Sequence, residues 1–189
     1  VGMGLKLAMF PLHLWLPNAY TYAPSVVTIF LSATATKVSL YVLIRFTFSV
    51  FAIEFLFIEQ ILKMLVLPLA VIAMFAMSLV AIFQQDIKRL LAYSSIAQIG
   101  YMLIGVCLIS NQGLVASFVN IFNHGITKAA LFMSLGALTL HNGNSFLPSM
   151  KGLGKQRPLL CFTLLIGGFS LVGIPGTAGF ISKWMLVKA

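Results

Sequence analysis

Three polar residues in one apolar stretch, Asn120, His124 and Lys128, are spaced four residues apart, and the imidazole and the amine among them could exchange protons. Residues at i and i+4 lie on one face of an α-helix, so the three side chains would form a polar line. Imidazole titrates near neutral pH, and an amine taken out of water loses the hydration that stabilises its charged form. The stretch therefore predicts a helix that carries proton-exchanging groups through apolar surroundings.

Three further lysines, Lys6, Lys37 and Lys183, also lie in apolar stretches. Thr34 precedes Lys37 by three residues and Tyr41 follows it by four, which predicts hydroxyls around one amine. A lysine at the bilayer centre costs at least ~2.5 kcal/mol on insertion scales, so an intramembrane lysine indicates function. The alternatives are snorkelling to the interface and a structural hydrogen bond to a neighbouring helix. Both stay open, above all for Lys6 and Lys183.

Hydroxyl and amide side chains in the same stretches can hold water between the titratable groups; they include Ser94, Gln98, Ser117 and Asn120. A chain of lysine, histidine and water across a membrane is a proton relay. The acidic residues all fall at helix ends or in loops: Glu54, Glu59 and Asp86. The absence of a carboxylate within a span argues against a retinal-type lysine and disfavours a carboxylate-centred carrier. A partner for the lysines must come from further sequence, another subunit or an anion.

The composition indicates the class of protein that positions these groups. Apolar residues make up 60% of the chain and charged residues 8%, with a mean hydropathy of +1.05, which is typical of membrane proteins. Lipid admits only helices and closed barrels, and the alternating pattern of barrel strands is absent. We therefore expect an all-α polytopic membrane protein. The cations behind the net charge of +9 divide between loops and apolar spans, so no nucleic-acid binding is expected. Cys107 and Cys161 lack metal-ligand spacing and predict free thiols without a metal.

About six transmembrane segments are predicted within one membrane domain, residues 1–189. They cover residues 1–16, 24–51, 60–84, 87–110, 114–141 and 158 to the end, with a turn at 111–113 and a polar loop at 141–157. The chain begins without methionine and stops inside an apolar stretch, so we expect an internal piece of a longer subunit.

Two of these segments predict broken helices. The sixth segment would be about 48 Å long as a straight helix, against a hydrocarbon core of about 30 Å. It contains GIPGTAGF, which predicts a break at Pro175 and Gly176 inside the membrane; a tight surface turn is the alternative. In the first segment, Pro11 predicts a break beside Lys6.

The loop charges predict the orientation. Five cations fall on one face of the predicted bundle: Lys88, Arg89, Lys151, Lys155 and Arg157. The opposite face carries four charged residues: Arg45, Glu54, Glu59 and Lys63. The positive-inside rule places the first face in the cytoplasm.

Five stretches, in this order, resemble the antiporter-like membrane subunits of respiratory complex I (NADH–quinone oxidoreductase) and of Mrp-type multisubunit cation/proton antiporters. They are GLKLAMFPLHLWLPNAYTYAPS, TATKVSLYVL, DIKRLLAYSSIAQIGYMLIG, HGITKAALF and GIPGTAGFISKW. The sequence of the two motifs TYAPS and TATKV favours the branch of the D-type Mrp subunits. The resemblance implies an inverted-repeat fold with a broken helix in each repeat and a central line of lysines that conducts protons.

By motif, the resemblance assigns five residues to the relay. Lys6 resembles the lysine of the first broken helix, and Lys37 the lysine or histidine of the next helix. His124 and Lys128 resemble the central pair of the second repeat, and Lys183 the terminal lysine or glutamate of the second broken helix. A lysine at this last position departs from the middle pumping subunit of complex I and fits its other members and the Mrp subunits.

Two departures concern carboxylates. The family's glutamate that pairs with the first lysine would precede residue 1. Asn18 stands where the family commonly has an aspartate, which removes one loop carboxylate.

The function expected from these observations is that of a proton-translocating, antiporter-like subunit in the cell (inner) membrane. It would be coupled to NADH–quinone oxidoreduction or to monovalent cation exchange, with no cofactor and no catalytic centre of its own. Its expected partners are other membrane subunits of the same complex, the lipid bilayer, protons, and sodium or potassium ions. A secondary substrate transporter with inverted repeats is the alternative, and a cavity wide enough for a solute would favour it. A structural scaffold is the third reading, which would leave the lysines snorkelled or at interfaces.

Overall fold

The computed structural model describes residues 2–50 and 59–189, without the side chains of residues 141 and 142. Glu54 and the predicted end of the second segment at Phe51 lie outside these residues. Most of the described residues are helical. No strand is formed among them, and the β-type pairing they show is one isolated bridge between Asp86 and Phe146. The predicted all-α class is confirmed.

The first segment consists of two short helices joined by a non-helical link. Helix α1 covers Gly2–Leu7 and α2 covers Trp15–Tyr22. Ala8 begins the link with a left-handed backbone, φ 56°. The indole Nε1 of Trp15 donates to the carbonyl of Leu5 at 2.9 Å and ties the two pieces together.

The next two helices are long and contain π-helical turns. Helix α3 covers Ser25–Val50, with π turns at Leu31–Ala35 and Phe46–Val50. Helix α4 covers Glu59–Ile82 and contains a π turn at Leu62–Val66. A π turn loosens the i to i−4 ladder and is often found at functional sites.

Helices α5 and α6 form the centre of the bundle. Helix α5 covers Ile87–Cys107 and begins at Asp86, whose carboxylate accepts from the amide of Lys88 at 2.8 Å. Helix α6 covers Asn111–Asn142 and begins at Ser110, whose hydroxyl accepts from the amide of Gly113 at 3.0 Å. The predicted turn at 111–113 is therefore wrong, because Ser110 caps the helix and those residues form its first turn.

The last segment is interrupted. A 3₁₀ turn and a short helix, α7 at Leu153–Gln156, lead into α8 at Pro158–Val172. Residues 173–177 are non-helical, and α9 covers Ala178–Lys188. Among the described residues, α3, α4 and α5 are long and apolar enough to cross a membrane, and α8 is a shorter apolar helix. The number of six spanning segments stays a prediction.

Packing places α6 at the core, since it contacts α3, α5, α8 and α9. The outward faces carry large exposed apolar side chains such as Phe75, Leu79 and Phe122, as expected for contact with lipid or other apolar helices.

Two loops of the predicted cationic face lie side by side. The amide of Ile87 donates to the carbonyl of Ser145 at 3.0 Å, and the amide of Leu147 donates to the carbonyl of Gln85 at 2.9 Å. The hydroxyl of Ser145 donates to Asp86 at 2.9 Å. These bonds hold the α4–α5 and α6–α7 loops at the same end of the bundle. The side of the membrane on which they lie stays a prediction.

Candidate functional site

The amine of Lys128 is enclosed at the centre of the bundle. Its side chain has 0% exposure. The Nζ atom donates to the carbonyl of Leu91 at 2.6 Å and to the hydroxyl of Ser94 at 2.7 Å, both on α5. It also faces the ring of Phe132, 6.0 Å from the centroid. In the part of the chain that the structure describes, the partners of this amine are thus neutral oxygens and an aromatic face, and none is a carboxylate.

His124 lies one turn before Lys128 on α6 and is 3% exposed. Neither of its ring nitrogens has a hydrogen-bond partner among the residues that the structure describes. The amines of Lys37, Lys128 and Lys183 all lie within electrostatic range of this ring. Buried polar groups are normally satisfied by protein or by ordered water, so His124 is the position where water is most needed.

Lys37 lies on α3 and is also buried, with 6% exposure. Its amine donates to the carbonyl of Ser32 within the first π turn. Gly125 allows α3 to approach α6 closely, since a Cβ there would lie 3.2 Å from the carbonyl oxygen of Ala33. The π turn thus brings this amine against the helix that carries His124 and Lys128.

The hydroxyls around Lys37 differ from those predicted. The buried ones within five residues of Lys37 on α3 belong to Ser32, Thr36 and Ser39. Thr34 bonds back to the carbonyl of Phe30 at 2.8 Å, and Tyr41 is largely exposed with its ring against Phe118. Thr34 borders the same outward-opening groove as Lys37, and Tyr41 lies in the regular α-helical turns that follow the π turn.

Lys183 binds the end of α8 at the second helix break. Its amine donates to the carbonyls of Leu171 at 2.7 Å and Val172 at 3.0 Å, the last two residues of α8. The amine lies 4.8 Å from the centroid of the Tyr101 ring. A helix end carries unsatisfied carbonyls and partial negative charge, so it is a suitable partner for a cation.

The break itself depends on left-handed glycines. Gly173 has φ 86° and Gly176 has φ 92°, and Pro175 lies between them. The side-chain amide of Gln98, from the middle of α5, donates to the carbonyl of Leu171 at 3.2 Å. The break is therefore level with the middle of α5 and does not lie at the end of the bundle.

A small cavity connects His124 to this break. Its volume is about 10 Å³, room for about one water molecule. Polar side chains dominate its lining: Gln98, Asn120, Asn123, His124, Thr127, Ser170 and Lys183. Asn120 also accepts from the hydroxyl of Ser182 at 3.2 Å. One water here would join the unpartnered imidazole to the amine at the break.

Lys6 differs from the other lysines because it is exposed. It lies in the last turn of α1, before the link that contains Pro11. Its side chain borders a groove of about 720 Å³ that opens outwards, together with apolar residues such as Trp15, Phe30 and Val38. The described part of the chain therefore does not bring Lys6 into the enclosed group.

Several contacts of the site were missed from the sequence. The amide of Asn123 donates to the carbonyl of Ala178 at 2.8 Å, and the hydroxyls of Thr127 and Ser170 lie 3.4 Å apart. Both α6 residues lie three positions after a residue already singled out, so the helical i+3 pattern could have indicated them. Contacts from Ser170, Ser182 and Tyr101 depend on how the broken helix folds back, which local spacing does not encode.

An apolar helical bundle with two interrupted helices and enclosed amines defines an integral membrane protein. The chain belongs to the family described as NADH:quinone oxidoreductase/Mrp antiporter, TM, which it matches over residues 1–189. Its multi-pass placement in the cell (inner) membrane follows from the relatives in this family.

Relatives come from both branches of the family. The N-type subunit of NADH-quinone oxidoreductase from Desulforudis audaxviator is 37% identical over 98% of this chain, which covers 37% of that protein. The D-type subunit of the Na(+)/H(+) antiporter from Alkalihalophilus pseudofirmus is 35% identical over all of this chain and 38% of its own length. The similar identities do not separate the two branches, so the preference for the D-type Mrp subunits stays a prediction.

The fold is found in a solved respiratory complex. The structure of the membrane-bound sulfane sulfur reductase, an archaeal respiratory membrane complex, contains a chain that superposes with a TM-score of 0.89 and 31% identity. The match covers 99% of this chain and 38% of that one. The chain thus spans less than two-fifths of the length of these two relatives and of this solved chain.

Proposed function

We propose that the chain forms part of a proton-translocating subunit and that protons move along Lys37, His124, Lys128 and Lys183 through intervening water. Lys6 would join this route once a partner covers its groove. The subunit would work within a multisubunit membrane complex, as the names of the relatives indicate for those proteins. Protons are its proposed cargo, and sodium or potassium would be moved only where the complex is a cation antiporter.

The enclosure of Lys128 is the observation that supports the proposal most strongly. A fully buried amine with two neutral acceptors lies one helical turn from an imidazole whose two nitrogens have no hydrogen-bond partner among the described residues. Ionisable groups inside a membrane protein face its interior and mark proton or ion pathways. A purely structural lysine would not require an unsatisfied histidine beside it.

The size of the internal cavity argues against the alternative of a solute carrier. The cavity at the broken helix has a volume of about 10 Å³, whereas sites for small organic molecules are about 300–1,000 Å³. The larger grooves found in the described part of the chain open outwards and are lined mainly by apolar side chains. The polar interior fits water and protons.

The energy source would lie outside these residues. NADH–quinone oxidoreduction and sodium/proton exchange are both named among the relatives. We infer that a carboxylate from a neighbouring element sets when the first lysine releases its proton. Proton uptake measured with NADH and quinone, and separately with an imposed sodium gradient, would separate the two drives.

The test is replacement of Lys128 in the intact complex. Lys128→Ala and the volume-conserving Lys128→Met should each lower proton uptake into vesicles at least about 100-fold, the usual size of a lost proton-transfer group. Assembly should remain close to wild type, because the hydroxyls of Ser94 and Ser95 still donate to the carbonyl of Leu91. Lys155→Ala, at an exposed position of the short helix α7, is the matched control and should transport normally. Normal transport by an assembled Lys128→Met complex would contradict the proposal.

A further inference from the structure

Tyr20 is a buried residue that the proposed relay does not use. Its side chain reaches the surroundings of two amines, those of Lys37 and Lys128. It belongs to α2, the helix that follows the first break, and is 1% exposed. Its backbone is fixed as well, since the hydroxyl of Thr28 donates to its carbonyl at 3.1 Å. A large side chain in this setting has little freedom to reorient.

The hydroxyl of Tyr20 reaches the turn that holds Lys37. It donates to the carbonyl of Leu31, the first residue of the π turn, at 3.4 Å, and the side chain of Thr36 also lies at this hydroxyl. The next carbonyl in the turn, that of Ser32, accepts from the Lys37 amine. The hydroxyl therefore stabilises the same π turn that positions Lys37.

The ring of Tyr20 reaches the surroundings of Lys128. It packs edge-to-face against Phe132, with centroids 5.6 Å apart and an interplanar angle of 88°. Phe132 in turn presents its ring to the Lys128 amine. Edge-to-face pairing fixes the orientation of a ring, and an aromatic face attracts a cation more than a neutral amine.

We propose that Tyr20 is a positioning residue that holds the Lys37 turn with its hydroxyl and the Lys128 environment with its ring, so that the first broken helix is coupled to both central amines. This inference rests on the proposed function of the two lysines. A shift of α2 would change the donor at the π turn and the aromatic face at Lys128 together. An ordinary core tyrosine would contribute stability without any effect on the protonation of the relay.

The variant that tests the hydroxyl is Tyr20→Phe, which keeps the ring and its contact with Phe132. The matched control is Tyr22→Phe, on the same helix two residues later, where the side chain is 79% exposed. Phe132→Leu tests the aromatic arm. Each variant is placed in the full subunit within the assembled complex, and proton uptake into vesicles is measured across a pH series with assembly quantified in parallel.

Tyr20→Phe should lower proton uptake roughly tenfold at normal assembly, since small misplacements at a proton-transfer site have effects of this order or larger. Phe132→Leu should move the pH of half-maximal uptake by roughly half a unit, because the aromatic face interacts with only one protonation state. Tyr22→Phe should match wild type in both respects. If Tyr20→Phe assembles poorly, the pH series of Phe132→Leu decides the question.

Equal rates and equal pH profiles for Tyr20→Phe, Phe132→Leu and Tyr22→Phe would overturn the inference while leaving Lys128 in its role. A lower rate of Phe132→Leu with an unchanged pH profile would mean that the aromatic pair of Tyr20 and Phe132 is structural core, and it would also overturn the inference. Failure of the proposed function is recognised separately, by normal uptake in Lys128→Met.

Discussion

The two broken helices place a lysine beside an interruption in different ways. At the second break, Lys183 donates to the two carbonyls at the end of α8, and Gly173 supplies the left-handed backbone. At the first break, Lys6 is exposed in the last turn of α1, and the carbonyl of Leu5 is bonded to the indole of Trp15. The same sequence feature, a lysine near a break, has an internal partner at one end of the chain and an outward-facing groove at the other.

This difference indicates which parts of the site are complete within the described residues. Lys37, His124 and Lys128 are buried and Lys183 is half-buried, and each of the three amines donates to a carbonyl of the chain itself. The environment of Lys6 depends on whatever covers the groove. A relay that extends from one break to the other therefore needs its first member to be completed by a neighbouring element.

Removing the amine at the second break should have the largest effect. Lys183→Ala leaves the end of α8 without its cation and removes the terminal relay group, so we expect proton uptake to fall about 100-fold or more. Lys188→Ala, at an exposed position near the end of the same helix, should transport normally. Proton uptake by vesicles containing the assembled complex is the measurement. If Lys183→Ala were as active as Lys188→Ala, the amine at the second break would not be needed for transport, and the two breaks would not differ in function.

A side chain at Gly173 should have the next largest effect. The Cβ of Gly173→Ala would lie 2.9 Å from Cδ of Lys183, on a backbone with φ 86°. We expect a loss of about 1–2 kcal/mol in stability from the left-handed strain, and a partial loss of proton uptake as the amine is displaced.

Gly168→Ala is the control for Gly173→Ala, since no atom lies within 4 Å of a Cβ built at Gly168 within α8. It should leave transport unchanged and slightly raise the thermal midpoint of the purified complex, because alanine favours a helix interior. A Gly173→Ala complex as stable and active as Gly168→Ala would show that the second break tolerates rearrangement.

Features of the fold and site that depend on local sequence could be predicted, whereas features that depend on contacts between distant helices could not. The interruption at residues 173–177 and the polar line of Asn120, His124 and Lys128 depend on local signals, namely a proline among glycines and an i+4 spacing. The π turn at Leu31–Ala35 carries no such signal, so the buried hydroxyls of Ser32 and Thr36 near Lys37 were not predicted from the sequence. The exposure of Lys6 and the contact between Thr127 and Ser170 depend on helix–helix packing, which local sequence does not determine.

The smallest effect is expected at the first break. Ala8 already adopts φ 56° without being a glycine. Ala8→Gly relieves that strain but adds conformational entropy to the unfolded chain and removes a buried methyl group, so the stability should change by less than about 1 kcal/mol. Proton uptake should be unchanged. A marked loss of uptake at normal stability would show that the first break is as finely positioned as the second.

The most direct test of the central claim, that Lys128 passes protons on, is proton uptake by a Lys128→Arg complex. Arginine keeps the positive charge and the hydrogen-bonding capacity of the side chain but does not release its proton at physiological pH. The account predicts an assembled complex whose uptake is as low as that of Lys128→Ala. Uptake at the wild-type rate would show that a fixed positive charge is sufficient, and the relay role of Lys128 would be wrong.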